Sequence, residues 1–293
     1  MKGRILKKGR TLLVSTLVAV LLVVGLALPA SAATPAEIDT AIDKGLAYLA
    51  NTQAGDGSWS SWGYQIGATG TAVLAMELHD PVTYAANIQA GLDYIFDQAY
   101  IQAINPADPG APADGNGVYF GWLPMYETGI AMMAIAGSET PWETVNVPGS
   151  PVDGWRYDEV MQECVEYIAW AQHDGTGDPN GRGGWRYAPN DWDSDNSVSQ
   201  WPVLGLIVAE GFGCTVPGFV RDELSIWIDY IQNDASGGSG YSAPDDWVNV
   251  AKTGALLIEQ YFYGDDTTVP RVQAARDYID ANWSSDTEHL VPP

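Results

Sequence analysis

The chain predicts an all-α fold, an α/α toroid of helical hairpins in two concentric layers with an incomplete or open ring. Three observations carry this expectation. A helix with a Tyr-Ile or Tyr-Leu step runs four times into a Gly-aromatic loop and then into a second, more apolar helix. The first helix of each unit is apolar on one face only, whereas the second is apolar nearly all round, as expected for outer and enclosed helices. A fifth first-type helix starts a unit that is never finished. Each hairpin can bury its apolar face only against its neighbours, so the repeat governs the architecture.

The first-type helices read Gly45-Leu46-Ala47-Tyr48-Leu49, Gly91-Leu92-Asp93-Tyr94-Ile95, Cys164-Val165-Glu166-Tyr167-Ile168, Trp227-Ile228-Asp229-Tyr230-Ile231 and Ala275-Arg276-Asp277-Tyr278-Ile279. Their stripes include Ile38, Ala41, Ile42, Gly45 and Leu49, then Ile88, Gly91, Leu92 and Ile95, and later Val220, Leu224, Trp227, Ile228 and Ile231. The second-type slots are 71–78, 129–136, 203–208 and 251–258. The connecting loops hold Gly57-Ser58-Trp59, Gly117-Val118-Tyr119, Gly184-Trp185 and Gly240-Tyr241. No run alternates well enough to predict a strand. Segments 104–117 and 137–157, rich in Pro and Gly, are long for connections and are either rim elements or functionless insertions.

Residues 1–32 read as an export signal: a basic n-region (Lys2, Arg4, Lys7, Lys8, Arg10), the apolar run Leu12 to Leu28, and Ala30-Ser31-Ala32 as a cleavage site. The toroid domain is then 33–293, and the protein is expected to be secreted. The leader takes five of the thirteen Lys+Arg and no acid. Eight basic residues then face 37 Asp+Glu, a net charge of −29. Such a surface repels phosphates, which excludes nucleic acid and disfavours anionic membranes. Apolar, aromatic and glycan ligands remain. Cys164 and Cys214 either pair in an oxidising compartment or stay reduced, Cys164 lying at helical spacing with Val160, Met161, Val165 and Ile168.

Gln53-Ala54-Gly55-Asp56-Gly57-Ser58-Trp59 resembles the prenyltransferase/squalene-oxidase repeat of terpenoid cyclases and protein prenyltransferases, in an uncharacterised exported branch. A second copy is Gln172 with Gly183-Gly184-Trp185-Arg186-Tyr187, followed by Asp195-Asn196-Ser197-Val198-Ser199-Gln200-Trp201. The similarity spans about residues 36–282 and implies the α/α toroid. It also implies that the glutamine hydrogen-bonds and the tryptophan stacks to tie one helix end to the next loop.

Set against the class II cyclase motif D-x-D-D, Asp193-Ser194-Asp195-Asn196 makes Asp195 the general acid, assisted by Asp193, with Asn196 in place of the last Asp. Alkene protonation needs a protonated carboxyl in a dry, aromatic-lined cavity. The alternating Asp191, Asp193 and Asp195 also suit the first ligands of a Ca²⁺ loop, although the Gly and Glu of an EF-hand are missing. With Arg182 or Arg186 as base, the same segment fits a Ca²⁺-dependent polysaccharide lyase. The bland reading is a helix N-terminus with Ser199 as cap and Pro202 in the first turn. Prenyltransferase zinc chemistry is disfavoured, because His79, His173 and His289 lack ligand spacing. The sequence favours a ligand- or partner-binding protein without cyclase or prenyltransferase chemistry. Its binding candidates are Trp59, Trp62, Tyr119, Trp122, Trp185, Arg186, Tyr187, Trp201 and Tyr241.

Overall fold

The computed structural model describes residues 33–60 and 63–283. The predicted export signal, Trp62 and His289 lie outside the described residues. The chain divides between Tyr48 and Leu49 into two compact units. The described residues are mostly helical: α1 (Pro35–Thr52), α2 (Gln65–His79), α3 (Ala85–Asp97), α4 (Pro124–Gly137), α5 (Tyr157–Trp170), α6 (Asn196–Gly211), α7 (Gly218–Ile231), α8 (Val250–Tyr263) and α9 (Pro270–Asn282). None of them is long and apolar enough to cross a membrane.

In the first unit, α1 opens with a capping box in which Glu37 Oε2 accepts the Thr34 N–H at 2.8 Å and Thr34 Oγ1 accepts the Glu37 N–H at 3.3 Å. The buried stripe expected on α1 does not form. Ile38 is 48 % exposed, and of the residues before Leu49 in this helix only Leu46 is buried. Spacing alone could mark an apolar face, but burial needs a covering surface.

In the second unit several of the expected apolar faces are covered. The predicted stripes of α3 and α7 are fully buried. The second-type helices pack in series, α2 on α4, α4 on α6 and α6 on α8. The tightest crossing, α4 on α6, depends on two glycines. A Cβ on Gly129 would lie 2.1 Å from the Trp201 carbonyl oxygen, and one on Gly205 would lie 3.1 Å from Gly129 Cα. Helix α6 starts at Asn196, so Pro202 stands inside it rather than in its first turn. The cap is Asp195 instead of Ser199, whose hydroxyl is used elsewhere.

That use repeats in four helical hairpins. The Trp59 N–H donates to Thr69 Oγ1 (3.0 Å), Phe120 N–H to Thr128 Oγ1 (2.9 Å), Trp185 N–H to Ser199 Oγ (3.0 Å) and Ser239 N–H to Thr253 Oγ1 (3.0 Å). Each hydroxyl is wholly buried and fixes a loop against the helix that follows it. The clasp sets the register of loop and helix within each hairpin. Phe120 and Ser239, rather than Tyr119 and Tyr241, occupy the places of Trp59 and Trp185.

A glutamine supplies the second tie in three units. The Nε2 of Gln53 donates to Gly57 O and Asn87 O, that of Gln172 to Gly183 O and Val220 O, and that of Gln232 to Gly237 O and Arg271 O, all within 3.0 Å. Each side chain thus joins its own loop to α3, α7 or α9. The loop glycines have φ of +90°, +89° and +79° and press on Ala90, Glu223 and Ala274, where no Cβ fits.

The unit lacking this glutamine carries what periodicity missed, an antiparallel hairpin of β1 (Ala99–Ala103) and β2 (Asn116–Phe120). Five-residue strands are too short to show alternation, and their stability comes from β2 packing on α5. Segment 104–117 therefore contains the hairpin loop and the start of β2. Asp108 Oδ2 accepts the Trp170 indole N–H at 3.3 Å. Segment 137–157 packs inward, with Val145 and Val152 buried and Ser150 Oγ donating to Phe96 O at 2.6 Å.

Candidate functional site

The starts of α4 and α6 are each tied to the loop of the following unit. The Met125 N–H donates to Tyr187 O (3.4 Å), and the Asn196 N–H to Tyr241 O (2.9 Å). Tyr126 tilts on Trp201 with ring centroids 4.9 Å apart. Burial raises the Tyr126 phenol, and the charges of Asp195, Tyr64 and Tyr241 act on it in the same direction. Asp195, Tyr64 and Tyr241, from the segments before α6, α2 and α8, thus all act on Tyr126 of α4.

Asp195 sits in this neighbourhood as the cap of α6. Its Oδ1 accepts the Val198 N–H (2.9 Å) and the Ser197 hydroxyl (2.7 Å). Its Oδ2 has no hydrogen-bond partner and lies 3.7 Å from Arg186 Nη1, which bonds Asp193 Oδ2 at 2.9 Å. Asp195 is wholly buried and Asp193 nearly so. Burial raises the Asp195 carboxyl, against the lowering effect of its two hydrogen bonds and of Arg186. Asp193 is also raised, chiefly by burial, with Arg186 opposing.

Glu259, inside α8, is wholly buried, and its oxygens make no hydrogen bond of ordinary geometry. Burial pushes its carboxyl well up, the Trp227 indole moderates the rise and Asp195 reinforces it. Asn196 is wholly buried and donates to Ser239 Oγ (2.7 Å) and Lys252 O (2.8 Å). The Lys252 ammonium stands 4.4 Å from the centroid of Trp247, a residue with φ of +54°.

The predicted binding residues separate into two groups. Trp59 and Trp185 are buried pillars whose indole N–H groups donate to Leu49 O (2.9 Å) and Ile168 O (3.0 Å), so no ligand reaches them. Arg186, Tyr187, Trp201 and Tyr241 are half-buried around Asp195. Tyr119 stacks between Tyr100 (5.1 Å) and Tyr167 (4.9 Å), and Trp122 is 84 % exposed. Asp191, Asp193 and Asp195 do not form a three-carboxylate cluster. Among the described residues, the one such group within 4.8 Å is Asp114, Glu163 and Glu166. Arg182 is held by Glu223 at 2.6 Å, away from those acids. Cys164 is buried and both cysteines are free thiols, raised mainly by burial.

A separate cleft of about 410 Å³ lies at the entries of α2 and α4, lined by Gln65, Tyr94, Gln98, Tyr100, Tyr119 and Trp122. Glu127 forms its floor and is buried. Its Oε2 accepts the N–H of Trp122 (2.7 Å) and Leu123 (3.1 Å), and Oε1 that of Gly67 (3.4 Å). Sequence reasoning missed Glu127, Gln65, Tyr94 and Tyr100. A lone carboxylate within Met125-Tyr126-Glu127-Thr128-Gly129-Ile130 was the available signal. No family model matches the chain, and no curated protein matches it.

Proposed function

We propose that the chain is an exported α/α-toroid protein of the prenyltransferase/squalene-oxidase repeat type that binds a ligand at its aromatic mouth without cyclase or prenyltransferase chemistry. The observation that carries this reading is the cleft of Tyr94, Tyr100, Tyr119 and Trp122, open to solvent where the inner helices begin. Its volume lies within the range of small-molecule sites. The toroid reading is supported by the serial packing of α2, α4, α6 and α8 and by the repeated hydroxyl clasp and glutamine tie.

Against a cyclase stands the occupation of Asp195. A general acid must reach its substrate, whereas Asp195 is wholly buried and one of its oxygens caps a helix. One observation favours the enzyme reading: burial raises the Asp195 carboxyl, as a proton donor requires. Intrinsic tryptophan fluorescence titrated with apolar, cationic and neutral-sugar probes tests the binding reading. Saturable quenching that weakens in Trp122→Ala is expected. A turnover of a polyprenoid abolished by Asp195→Asn would overturn it.

A further inference from the structure

We infer that the mouth cleft takes a neutral carbohydrate, stacking a pyranose ring on Tyr100 and Trp122; this rests on the binding reading above and names its ligand class. The first argument is ring geometry. Tyr100 and Tyr119 are nearly parallel, with an interplanar angle of 14° and centroids 5.1 Å apart. Tyr167 covers the other face of Tyr119 at 21° and 4.9 Å. Tyr119 therefore offers no free face and serves as backing for Tyr100. Tyr100 is 51 % exposed and presents a flat, preorganised surface, supported from below by two further rings and by the hairpin strand that carries it.

A stack of this kind is a platform and not a box. Quaternary ammonium ligands are held by rings that face them from several sides, and here two of the four rings spend their faces on each other. The carboxylate of the lining, Glu127, is held at the floor by three backbone N–H groups. An anionic ligand is disfavoured for a separate reason: among the described residues no Lys or Arg lines the cleft, and the whole chain carries −24. A purely apolar ligand would want an enclosed, mostly apolar pocket, whereas this cleft is open and bordered by the amides of Gln65 and Gln98.

What fits is a ligand with flat C–H faces for the rings and neutral hydroxyls for the amides. Gln98 Nε2 donates to Asp97 Oδ2 at 2.8 Å, which leaves its amide oxygen to accept from a hydroxyl. Gln65 opens α2 and brings a second amide to the same edge. Aromatic platforms with a few placed polar groups satisfy such ligands without net charge.

The test is calorimetric titration of the full chain with cellohexaose, xylohexaose and maltohexaose, alongside tetramethylammonium chloride and 1-anilinonaphthalene-8-sulfonate. At least one hexasaccharide is expected to bind. Tyr100→Ala and Trp122→Ala are each expected to weaken it about tenfold or more with unchanged circular dichroism. Tyr100→Phe, which keeps the platform, is expected to retain binding. Binding of no hexasaccharide, or binding unaffected by both alanine variants, overturns the carbohydrate assignment. If tetramethylammonium or the naphthalene probe binds instead and is lost in the same variants, the assignment falls while the mouth remains a ligand site. If no probe binds there, the binding reading falls with it.

Discussion

Asp195 and Asn249 hold the same post in successive units. Each precedes an inner helix, and each accepts through its side chain the backbone N–H three residues on, at 2.9 Å in both cases. The clasp hydroxyls Ser199 and Thr253 follow four residues later in both. An amide therefore does in one unit what a carboxylate does in the other. Asp195→Asn is expected to fold with stability close to that of the parent. Asp195→Ala is expected to lose about 1–2 kcal/mol through the missing cap, read from urea unfolding. Equal and large losses in both variants would show that the charge, rather than the cap, matters.

Gln172 ties two carbonyls from elements 11 and 48 residues away, and it is buried. Gln172→Met keeps its volume but leaves Gly183 O and Val220 O without this donor. A loss of about 2–4 kcal/mol is expected, since each buried unsatisfied group costs about 1–3 kcal/mol. Equilibrium denaturation measures it, and a change below about 0.5 kcal/mol would contradict the role given to the tie.

Two glycines separate strain from collision. Gly149 has φ of +100° with open space around it, whereas Gly183 has φ of +89° and a Cβ there would meet Glu223 O at 1.9 Å. Gly149→Ala is expected to cost only the left-handed penalty of about 1–2 kcal/mol. Gly183→Ala is expected to cost clearly more, because the loop must leave α7. Their melting temperatures should fall in that order.

Glu77 predicts how stability changes with pH. Burial pushes its carboxyl up to about 8, its oxygens find no partner, and one occupies the space that a Cβ on Gly137 would need. The folded state therefore keeps a proton that the unfolded chain releases near 4.5. Stability is full below that value and falls as pH rises toward 8, by about 1.4 kcal/mol per pH unit at most, less whatever solvent contact screens. Burial raises Glu259 and Asp195 in the same direction. Asp174, lowered chiefly by its hydrogen bonds from Thr176, acts oppositely, losing its contribution as pH falls through the acid range. The maximum is thus expected on the acid side of neutrality, and Glu77→Gln should flatten the decline between pH 5 and 8 in urea titrations.

The legible part of the fold was whatever depends on neighbours in sequence. Helical stripes such as Val220, Leu224, Trp227, Ile228 and Ile231 follow from the helical period, and they are buried as their spacing requires. Gln53 and Gln172 could be picked out beside their Gly-Trp loops, and both make the tie. The register of the clasp was not legible, because Phe120 and Ser239 are unlike tryptophan in shape and only the bond to Thr128 or Thr253 identifies them. Trp59 and Trp185 looked like binding residues because sequence gives a side chain's chemistry but not its exposure.

By itself, the sequence determined the helical units, their two kinds and their order, since periodicity and loop glycines act over a few residues. Tertiary structure alone decided which polar groups are spent and which stay open. It made Asp195 a buried cap, used all three acceptor contacts of Glu127 on backbone, and stacked Tyr100 on Tyr119 at the edge of a cleft. The physical reason is that desolvation, hydrogen-bond satisfaction and ring stacking are relations between elements far apart in the chain, and they exist only once those elements have met.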